Sequence, residues 1–361
     1  MSDKAVLMTG PAGFIGKNIL AHYLQQDCDL YLVETAKACP RLQAHIDAAV
    51  PDAAGRARIK VIAGDIKLPY MGIEGPVRDE IKGRVTHAIH LAALYDLAIP
   101  RDIAMQVNVE GTRHVMEFIA TFKNFQRLAY ASTVAISGTY TGLYTENDFD
   151  KGQAFKNFYE ETKFLAEKEV RGAWKDIPTV IFRPSIIVGH SKTGVIEKID
   201  GPYYSLVMIK RGMNRIGPNA RAKCHIAPVD YVANGVNALL DRAGKPGTVY
   251  CLGDPNPLTY NDFFDLVCTH WGKGKVLLRV PPALMSPMMR IPLMQKACGV
   301  PFEAFQYADL RVEYGTNNAT AALVPLGISC PPITSYIDVM IRYFDQHYND
   351  PAIRRGVKGL L

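Results

Sequence analysis

The sequence predicts an α/β fold in which a doubly wound parallel sheet is followed by a smaller C-terminal part. Short apolar runs typical of buried strands alternate with stretches whose apolar residues recur at helical spacing. Repeated β-α-β units of this kind form parallel sheets that are covered by helices on both faces. A run of glycines stands at the first strand-to-helix junction, which is where such sheets bind ligands.

The elements follow from these patterns in chain order. Strands are expected at residues 5–8, 30–33, 60–63, 88–91, 128–131 and 179–182. Helices are expected at residues 14–25, 105–122 and 158–171. After residue 190 the alternation weakens, and proline and methionine become frequent, but residues 248–252 form one more apolar run that is expected to return to the sheet. We therefore expect one domain over residues 1–190 with that strand, and a second part over residues 191–361.

Composition limits the class of protein. The 361 residues are 48% hydrophobic and 21% charged, which predicts an ordered globular chain. The seven cysteines include no C-x-x-C pair, so neither a disulfide framework nor a metal site is expected. No signal peptide and no apolar run of about 20 residues is evident, which favours a cytoplasmic protein with at most peripheral membrane contact. The basic cluster Arg354, Arg355 and Lys358 is too short to predict nucleic-acid binding.

A glycine-rich segment joins the first strand to the first helix, and it reads Thr9-Gly10-Pro11-Ala12-Gly13-Phe14-Ile15-Gly16. Glycines let the backbone approach a pyrophosphate, and the helix N-terminus offers free N–H groups with a partial positive charge. The spacing is G-x-x-G-x-x-G, and an ordinary β-α turn is the alternative. Its place at the first junction predicts a Rossmann dinucleotide-binding domain over residues 1–190. The expected cofactor contacts include Thr9, Gly10, Ala12, Gly13, Phe14, Ile15 and Gly16.

Two acidic residues, Glu34 and Asp65, bear on which cofactor is expected and how it is bound. Glu34 ends the second strand, where a carboxylate accepts hydrogen bonds from both ribose hydroxyls of NAD and repels the 2′-phosphate of NADP. Lys37 lies nearby and leaves NADP open. Asp65 follows the third strand, and it either accepts the adenine amino group or caps the next segment.

A possible proton-transfer pair lies in the helix expected at residues 158–171. Tyr159 and Lys163 are spaced i and i+4, so they share one face of that helix. A free phenol has a pKa of about 10, and a nearby ammonium favours the phenolate. The expectation is that Lys163, helped by a cationic nicotinamide, lowers the pKa of Tyr159 so that it can transfer a proton. The same spacing is also typical of a surface pair.

A pair of hydroxyl side chains, Ser132 and Thr133, follows the strand expected at residues 128–131. Side chains at that end of a parallel strand lie at the ligand-binding edge of the sheet. Either hydroxyl can hydrogen-bond a substrate carbonyl and stabilise the negative charge that forms on it. The alternative is simple turn chemistry, because serine and threonine are common there.

In this order the motifs resemble the extended short-chain dehydrogenase/reductase family over nearly the whole chain. The motifs that carry the resemblance are the glycine-rich segment, Gly64-Asp65-Ile66, His90-Leu91-Ala92-Ala93, Asn108-Val109-Glu110-Gly111-Thr112, Ser132-Thr133, Tyr159 with Lys163, and Arg183-Pro184-Ser185. The resemblance implies that Thr133, Tyr159, Lys163 and the supporting Asn108 are catalytic. It implies cofactor contacts at Ile66, Leu91, Ala92, Ala93, Pro184, Ser185 and Ile186, with Tyr159 and Lys163 also reaching the cofactor. Expected substrate contacts are Tyr95, Ser132 and Thr133.

Three differences between this sequence and the motifs of particular family branches indicate which branch it resembles most. Val134 and Ala135 stand where sugar-nucleotide dehydratases carry Asp-Glu. Residues 224–231 lack the arginine of many epimerases and, like residues 183–194 and 327–332, resemble fatty acyl-CoA reductases and thioester reductases. Glu34 stands where acyl-CoA reductases usually carry an NADPH-binding arginine, which favours NAD.

The sequence therefore predicts an NAD(P)-dependent oxidoreductase, with NAD favoured. Its expected substrate is a bulky apolar carbonyl, acyl thioester or alcohol. One alternative is an NAD-retaining sugar-nucleotide epimerase, and another is a cofactor-sensing protein without turnover. The methionines at positions 285, 288, 289 and 294 either line an acyl channel or pack in the core. By the base rate for such folds, a homodimer is expected.

Overall fold

The computed structural model describes residues 3–274 and 276–354, so Arg355 and Lys358 of the basic cluster lie outside the described residues. The strands there are β1 (Ala5–Thr9), β2 (Asp29–Glu34), β3 (Ile59–Ala63), β4 (His87–His90), β5 (Arg127–Ala131), β6 (Gly142–Tyr144), β7 (Thr179–Pro184), β8 (Ile186–Val188), β9 (Ile216–Pro218), β10 (Ile226–Pro228), β11 (Thr248–Leu252), β12 (Leu278–Val280) and β13 (Val312–Tyr314).

The α-helices are α1 (Phe14–Tyr23), α2 (Cys39–Ala49), α3 (Ala53–Ala57), α4 (Gly75–Arg84), α5 (Arg101–Ala104), α6 (Gly111–Ile119), α7 (Phe158–Gly172), α8 (Tyr203–Lys210), α9 (Val229–Ala238), α10 (Tyr260–His270), α11 (Pro282–Met289), α12 (Pro292–Cys298), α13 (Phe302–Phe305), α14 (Asn317–Leu323) and α15 (Ile337–His347). Short 3₁₀ turns occur at Pro69–Gly72, Val134–Ser137, Gln306–Asp309, Val324–Leu326 and Ile333–Ser335, and π turns occur at Met105–Glu110 and Leu239–Ala243. Among the described residues, none of these helices is both long and apolar enough to cross a bilayer.

A seven-stranded parallel sheet with the order β11-β7-β5-β4-β1-β2-β3 forms the centre of the molecule. This order confirms the predicted Rossmann-type fold. From β1 the chain runs outward through β2 and β3, and it then returns to the other side of β1 through β4, β5 and β7. Because the direction reverses between β1 and β4, their carboxyl ends border the crevice where such folds bind ligands.

The two faces of the sheet are covered by separate sets of helices. Along β1, Val6 and Met8 join the core that contains α1 and α9, whereas Ala5 and Leu7 join the core that contains α6 and α7. Successive strand residues point to opposite faces, so both sets are apolar and the strand is buried throughout.

A third core lies in the C-terminal part and is built from α8, α10 and α15, with Val207, Phe263 and Phe344 among its members. Helix α9 instead packs on the main sheet, and β11 pairs in parallel with β7 at the sheet edge. Segments after residue 190 therefore contribute to the two cores on the faces of the sheet as well as to this third core. The division of the chain at residue 190 stays a prediction.

The helix expected at residues 105–122 differs from its predicted form. It begins at Arg101, widens into the π turn Met105–Glu110 and ends at Ile119. A π turn is invisible to a search for 3.6-residue spacing, because it changes the phase of the apolar positions. Such turns occur often at functional sites, and this one contains Asn108.

Candidate active site

A cavity of about 640 Å³ opens at the carboxyl ends of the central strands. Most of the residues predicted as site residues line it, namely Gly10, Gly13, Phe14, Ile15, Gly16, Leu91, Ala93, Tyr95, Ser132, Thr133, Tyr159, Lys163, Pro184, Ser185 and Ile186. The remaining predicted residues stand outside its wall, namely Thr9, Ala12, Glu34, Asp65, Ile66, Ala92 and Asn108.

The glycine loop has the shape that a pyrophosphate needs. Gly10 has a φ of +72°, and a Cβ there would lie 3.0 Å from the backbone nitrogen of Ala92. A Cβ on Gly16 would lie 2.4 Å from the Gly10 carbonyl oxygen. Helix α1 starts directly behind this turn without a side-chain cap, so its first N–H groups remain available to an anion. The residues present therefore fit a dinucleotide.

Glu34 reaches the glycine loop from the end of β2. Its carboxylate accepts hydrogen bonds from the backbone N–H of Ala12 at 3.2 Å and from that of Thr35 at 2.9 Å. The carboxylate therefore lies beside the loop that precedes α1, and its role in binding ribose hydroxyls stays a prediction.

Asp65 makes the local contacts of a capping residue. Its carboxylate accepts a hydrogen bond from the backbone N–H of Lys67 at 3.0 Å and pairs with the Lys67 ammonium at 3.3 Å. Ile66 packs against the face of α6 at Gly111. These local contacts agree with the capping interpretation, and the contact with an adenine amino group stays a prediction.

Asn108 holds the backbone behind the cavity rather than lining it. Its amide oxygen accepts a hydrogen bond from the Leu94 N–H at 2.8 Å, and its Nδ2 donates to the Thr162 hydroxyl at 3.0 Å. Thr162 lies between Tyr159 and Lys163 on α7. Asn108 is therefore a positioning residue that ties the segment after β4 to the helix of the proton-transfer pair.

A buried hydrogen-bond chain connects Asn108 with the start of the glycine loop. His90 Nδ1 contacts the Thr9 hydroxyl at 2.7 Å, and His90 Nε2 contacts the Thr112 hydroxyl at 3.1 Å. The Thr112 hydroxyl also donates to the Asn108 carbonyl at 2.7 Å. Burial lowers the pKa of His90 to about 3, so the ring is neutral and serves as a structural link.

Helix α7 begins at a well-defined point, which sets the position of Tyr159 in its first turn. The Asn157 side chain caps the helix by accepting the Glu160 N–H at 3.0 Å. The Tyr159 hydroxyl hydrogen-bonds the Thr133 side chain, and the Tyr159 ring meets Tyr95 edge-on with ring centres 5.0 Å apart. Thr133, Tyr159 and Tyr95 thus come together at the cavity wall, although they are far apart in the sequence.

Lys163 lines the same wall one helical turn further along α7. Its ammonium donates to the Ala131 carbonyl at 2.6 Å and to the Tyr130 hydroxyl at 3.2 Å. Burial lowers the pKa of Lys163 to about 8, against the opposing charge of Glu167. The ammonium is therefore directed at the end of β5 as well as at the cavity.

The pKa of Tyr159 differs from the expectation. Burial raises it to about 12, even though the hydrogen bond with Thr133 lowers it. The expected lowering of this pKa by Lys163 is therefore not seen among the protein's own residues, because loss of solvent raises the pKa of Tyr159 and the nearby Glu160 and Asp200 carboxylates raise it further. Tyr159 is a protonated hydroxyl at neutral pH, which suits it to give a proton.

Ser132 is committed to a buried ionic network. Its hydroxyl donates to Glu167, which is fully buried and pairs with the guanidinium of Arg183 at 2.6 Å and 3.0 Å. Burial alone would raise the pKa of Glu167, but Arg183 outweighs it, so the carboxylate stays ionised. Ser132 lines the cavity with its hydroxyl engaged by this network, whereas the Thr133 hydroxyl bonds Tyr159 and accepts the Ala135 backbone N–H at 3.2 Å.

Sequence reasoning missed several residues of the site. Glu167 gives no signal in the sequence, because its partner Arg183 lies on another element. The cavity is also lined by residues after position 190, namely Ile196, Lys198, Asp200, Tyr204, Met208, Phe264 and Val300. Of the two interpretations that the sequence leaves open for the methionines, the acyl channel is not supported, because none of Met285, Met288, Met289 and Met294 lines the cavity. Their segment folds as α11 and α12 at the surface, where only Met289 of the four is buried.

Comparison with known proteins places the chain in a family. The family model described as male sterility protein, an NAD-binding family, matches residues 8–236. The chain is 29% identical over 285 residues to fatty acyl-CoA reductase wat of Drosophila melanogaster, covering 67% of this chain and 54% of that protein. It is 27% identical over 293 residues to aldehyde reductase lnaA of Aspergillus flavus, covering 74% of this chain and 27% of that protein. The chain therefore spans about half the length of the fly protein and about a quarter of the fungal one.

Solved structures support the fold. The terminal R domain from the myxalamid PKS-NRPS biosynthetic pathway has a TM-score of 0.82 at 23% identity, over 97% of this chain and 92% of that one. The UDP-glucuronic acid 4-epimerase from Bacillus cereus in complex with NAD has a TM-score of 0.65 at 17% identity, over 96% and 99%. The predicted resemblance to extended short-chain dehydrogenases and their acyl-CoA reductase branch is confirmed. The chain belongs to the NAD-binding family described as male sterility protein.

Proposed function

We propose that this protein reduces the carbonyl carbon of a bulky apolar acyl thioester or aldehyde, with NADH as the preferred cofactor. One observation carries the proposal. Thr133, Tyr159 and Lys163 converge on the wall of a large apolar cavity that also contains the glycine loop. The relatives named as fatty acyl-CoA and aldehyde reductases support the same class of substrate.

The cavity wall explains the apolar preference. The wall includes Ile187, Val188, Met208, Phe264 and Val300, which offer an acyl chain apolar contacts, and it also carries the charged Glu197, Lys198 and Asp200. Burial of each methylene contributes about 0.8 kcal/mol, so a long chain gains more than a short one.

In the proposed reaction, Thr133, Tyr159 and Lys163 each have a separate role. A bound nicotinamide would supply the hydride that such a reduction needs. Thr133 and Tyr159 donate hydrogen bonds to the substrate oxygen, where negative charge develops. Tyr159 then transfers its proton to that oxygen, and the Lys163 ammonium stabilises the phenolate left behind. With a thioester the product of this step is a hemithioacetal; its carbon–sulfur bond then breaks and its hydroxyl proton passes to the departing sulfur, which releases a thiol and an aldehyde.

The cofactor preference follows from Glu34. Its carboxylate, beside the N-terminus of α1, accepts ribose hydroxyls and repels a 2′-phosphate. NADH is therefore expected to support a higher rate than NADPH at equal concentration. A higher rate with NADPH would contradict this part of the proposal.

The function is tested by following oxidation of NADH with long-chain acyl-CoAs and aldehydes. Tyr159→Phe is expected to lower kcat by about 10²–10⁴-fold, the usual contribution of a positioned acid, while NADH binding measured by fluorescence is retained. Tyr140→Phe is the matched control, because Tyr140 is partly buried but does not line the cavity. Full activity of Tyr159→Phe, or no oxidation of either cofactor by the wild type with any substrate, would contradict the proposal.

A further inference from the structure

A small side chamber of about 50 Å³ adjoins the substrate cavity. The two share a wall, because the same residues line both, namely Val134, Ala135, Ile186, Tyr260 and Tyr307. Val134 and Ala135 follow Thr133 directly in the chain, so this shared wall lies beside the reacting end of the cavity. The chamber has room for a small polar group but not for an acyl chain.

His225 stands at the wall of this chamber with an unused ring nitrogen. The residue is only 7% exposed, and its Nε2 has no hydrogen-bond partner among the described residues. The ring is held in place by edge-on contact with Tyr314, with ring centres 4.7 Å apart, and by a hydrogen bond to the backbone of Val312. A buried polar atom left unpaired has lost its hydrogen bond to water without a replacement, so a group that satisfies it would be bound selectively.

The protonation of the ring decides which group fits. Burial lowers the pKa of His225 to about 4, so the imidazole is neutral at physiological pH. A neutral imidazole has one N–H and one acceptor nitrogen. With the N–H assigned to the backbone contact, Nε2 is the acceptor. The group that it binds must therefore donate a hydrogen bond.

The other polar side chains of the chamber are already engaged. Glu160 accepts hydrogen bonds from the Lys156 backbone N–H at 2.8 Å, the Lys156 ammonium at 3.3 Å and the Tyr307 hydroxyl at 2.5 Å. The Tyr314 hydroxyl contacts the Ser137 hydroxyl at 2.9 Å. The Lys223 ammonium, which also lines the chamber, donates to the Pro257 carbonyl at 3.3 Å, and the Tyr260 hydroxyl bonds the Cys224 side chain. Within the described part of the chain, His225 Nε2 is therefore the buried acceptor of this chamber that a ligand would find unpaired.

We propose that the side chamber is a specificity subsite for a hydroxyl group that the substrate carries close to its reacting carbonyl, with His225 Nε2 accepting the hydroxyl proton. This inference rests on the proposed function, since it names a feature of the same substrate. The natural substrate is then a hydroxyacyl thioester or hydroxyaldehyde rather than a plain alkyl one.

The test compares substrates that differ only by that hydroxyl. The kcat/KM of the wild type is measured with an acyl-CoA and with its 2-hydroxy and 3-hydroxy counterparts of equal chain length. We expect one hydroxylated form to be preferred by about fivefold to tenfold, the effect of one hydrogen bond. In His225→Leu the ratio is expected to fall to about one, and in His225→Gln, which keeps an acceptor, much of it is expected to return.

His45→Leu is the matched control, because His45 lies on α2 and lines neither cavity; its ratio is expected to equal that of the wild type. NADH binding of each variant reports whether it has folded. Reduction of all three substrates by the wild type without preference would overturn the subsite alone, as would a preference that survives in folded His225→Leu. Reduction of none of them would overturn the proposed function and the subsite with it.

Discussion

Helix α7 and the segment of α11 and α12 differ in which kinds of side chain they bury and expose. Helix α7 buries charge, since Glu160 and Glu167 are both fully buried and Lys163 is only 4% exposed. Helices α11 and α12 expose apolar side chains instead, with Leu284 at 68%, Met288 at 50% and Leu293 at 73% exposure.

The difference shows at which positions the structure restricts the choice of residue most strongly. A buried charge is tolerated only when partners satisfy it, so each buried charged residue of α7 constrains its neighbours in both position and identity. An exposed leucine makes few contacts and imposes no such constraint. We expect substitutions of the buried charged residues of α7 to be costly and substitutions on the surface of α11 to be nearly neutral.

The largest expected effect is on stability. Glu167→Gln leaves the Arg183 guanidinium buried without its counter-charge, and breaking a buried pair in this way costs about 3–5 kcal/mol. Glu169→Gln on the same helix is the matched control. It removes an exposed pair with Arg113, which is expected to cost less than about 1 kcal/mol. Urea unfolding of both variants measures the difference, and equal losses would show that burial does not set the cost.

A smaller effect is expected on the pH dependence of catalysis. The pKa of Lys163 is lowered to about 8, so its ammonium is present below that pH and is lost above it. Because the ammonium stabilises the phenolate of Tyr159, kcat/KM is expected to fall about tenfold per pH unit above pH 8. Lys163→Arg, which stays charged, is expected to remove this decline at a lower overall rate. A profile for the wild type that is flat between pH 6 and about pH 10 would argue against the role of Lys163.

The smallest effect is expected at the exposed apolar surface. Leu284→Ser should change the free energy of unfolding by no more than about 0.5 kcal/mol, because surface substitutions away from special features rarely do more. Leu206→Ser on α8, at a fully buried position, is the contrasting control and should destabilise strongly. A loss above about 1 kcal/mol in Leu284→Ser, together with a shift to lower oligomer mass, would mean that a second copy covers this face, as a homodimer would require.

Much of the fold and of the cofactor site can be predicted from the sequence. The alternation of strands and helices, the glycine loop and Glu34 are local patterns, and each reports a local conformation or a single hydrogen-bonding group. The Tyr159 and Lys163 pair follows in the same way, from spacing along one helix. The spacing of these two residues does not reveal that burial of Tyr159 raises the pKa of its hydroxyl.

The amino-acid sequence alone indicated the alternation of strands and helices and the glycine-rich loop, and it predicts Tyr159 and Lys163 as a proton-transfer pair, because all of these are patterns among residues near each other in the chain. The tertiary structure was needed for the Glu167–Arg183 pair, the commitment of Ser132, the surface position of α11 and the free Nε2 of His225. Each of these depends on which distant segments meet and on how much water they exclude. The contacts between distant segments and the amount of water excluded cannot be predicted from the spacing of residues, because both arise only when the helices and the sheet pack together.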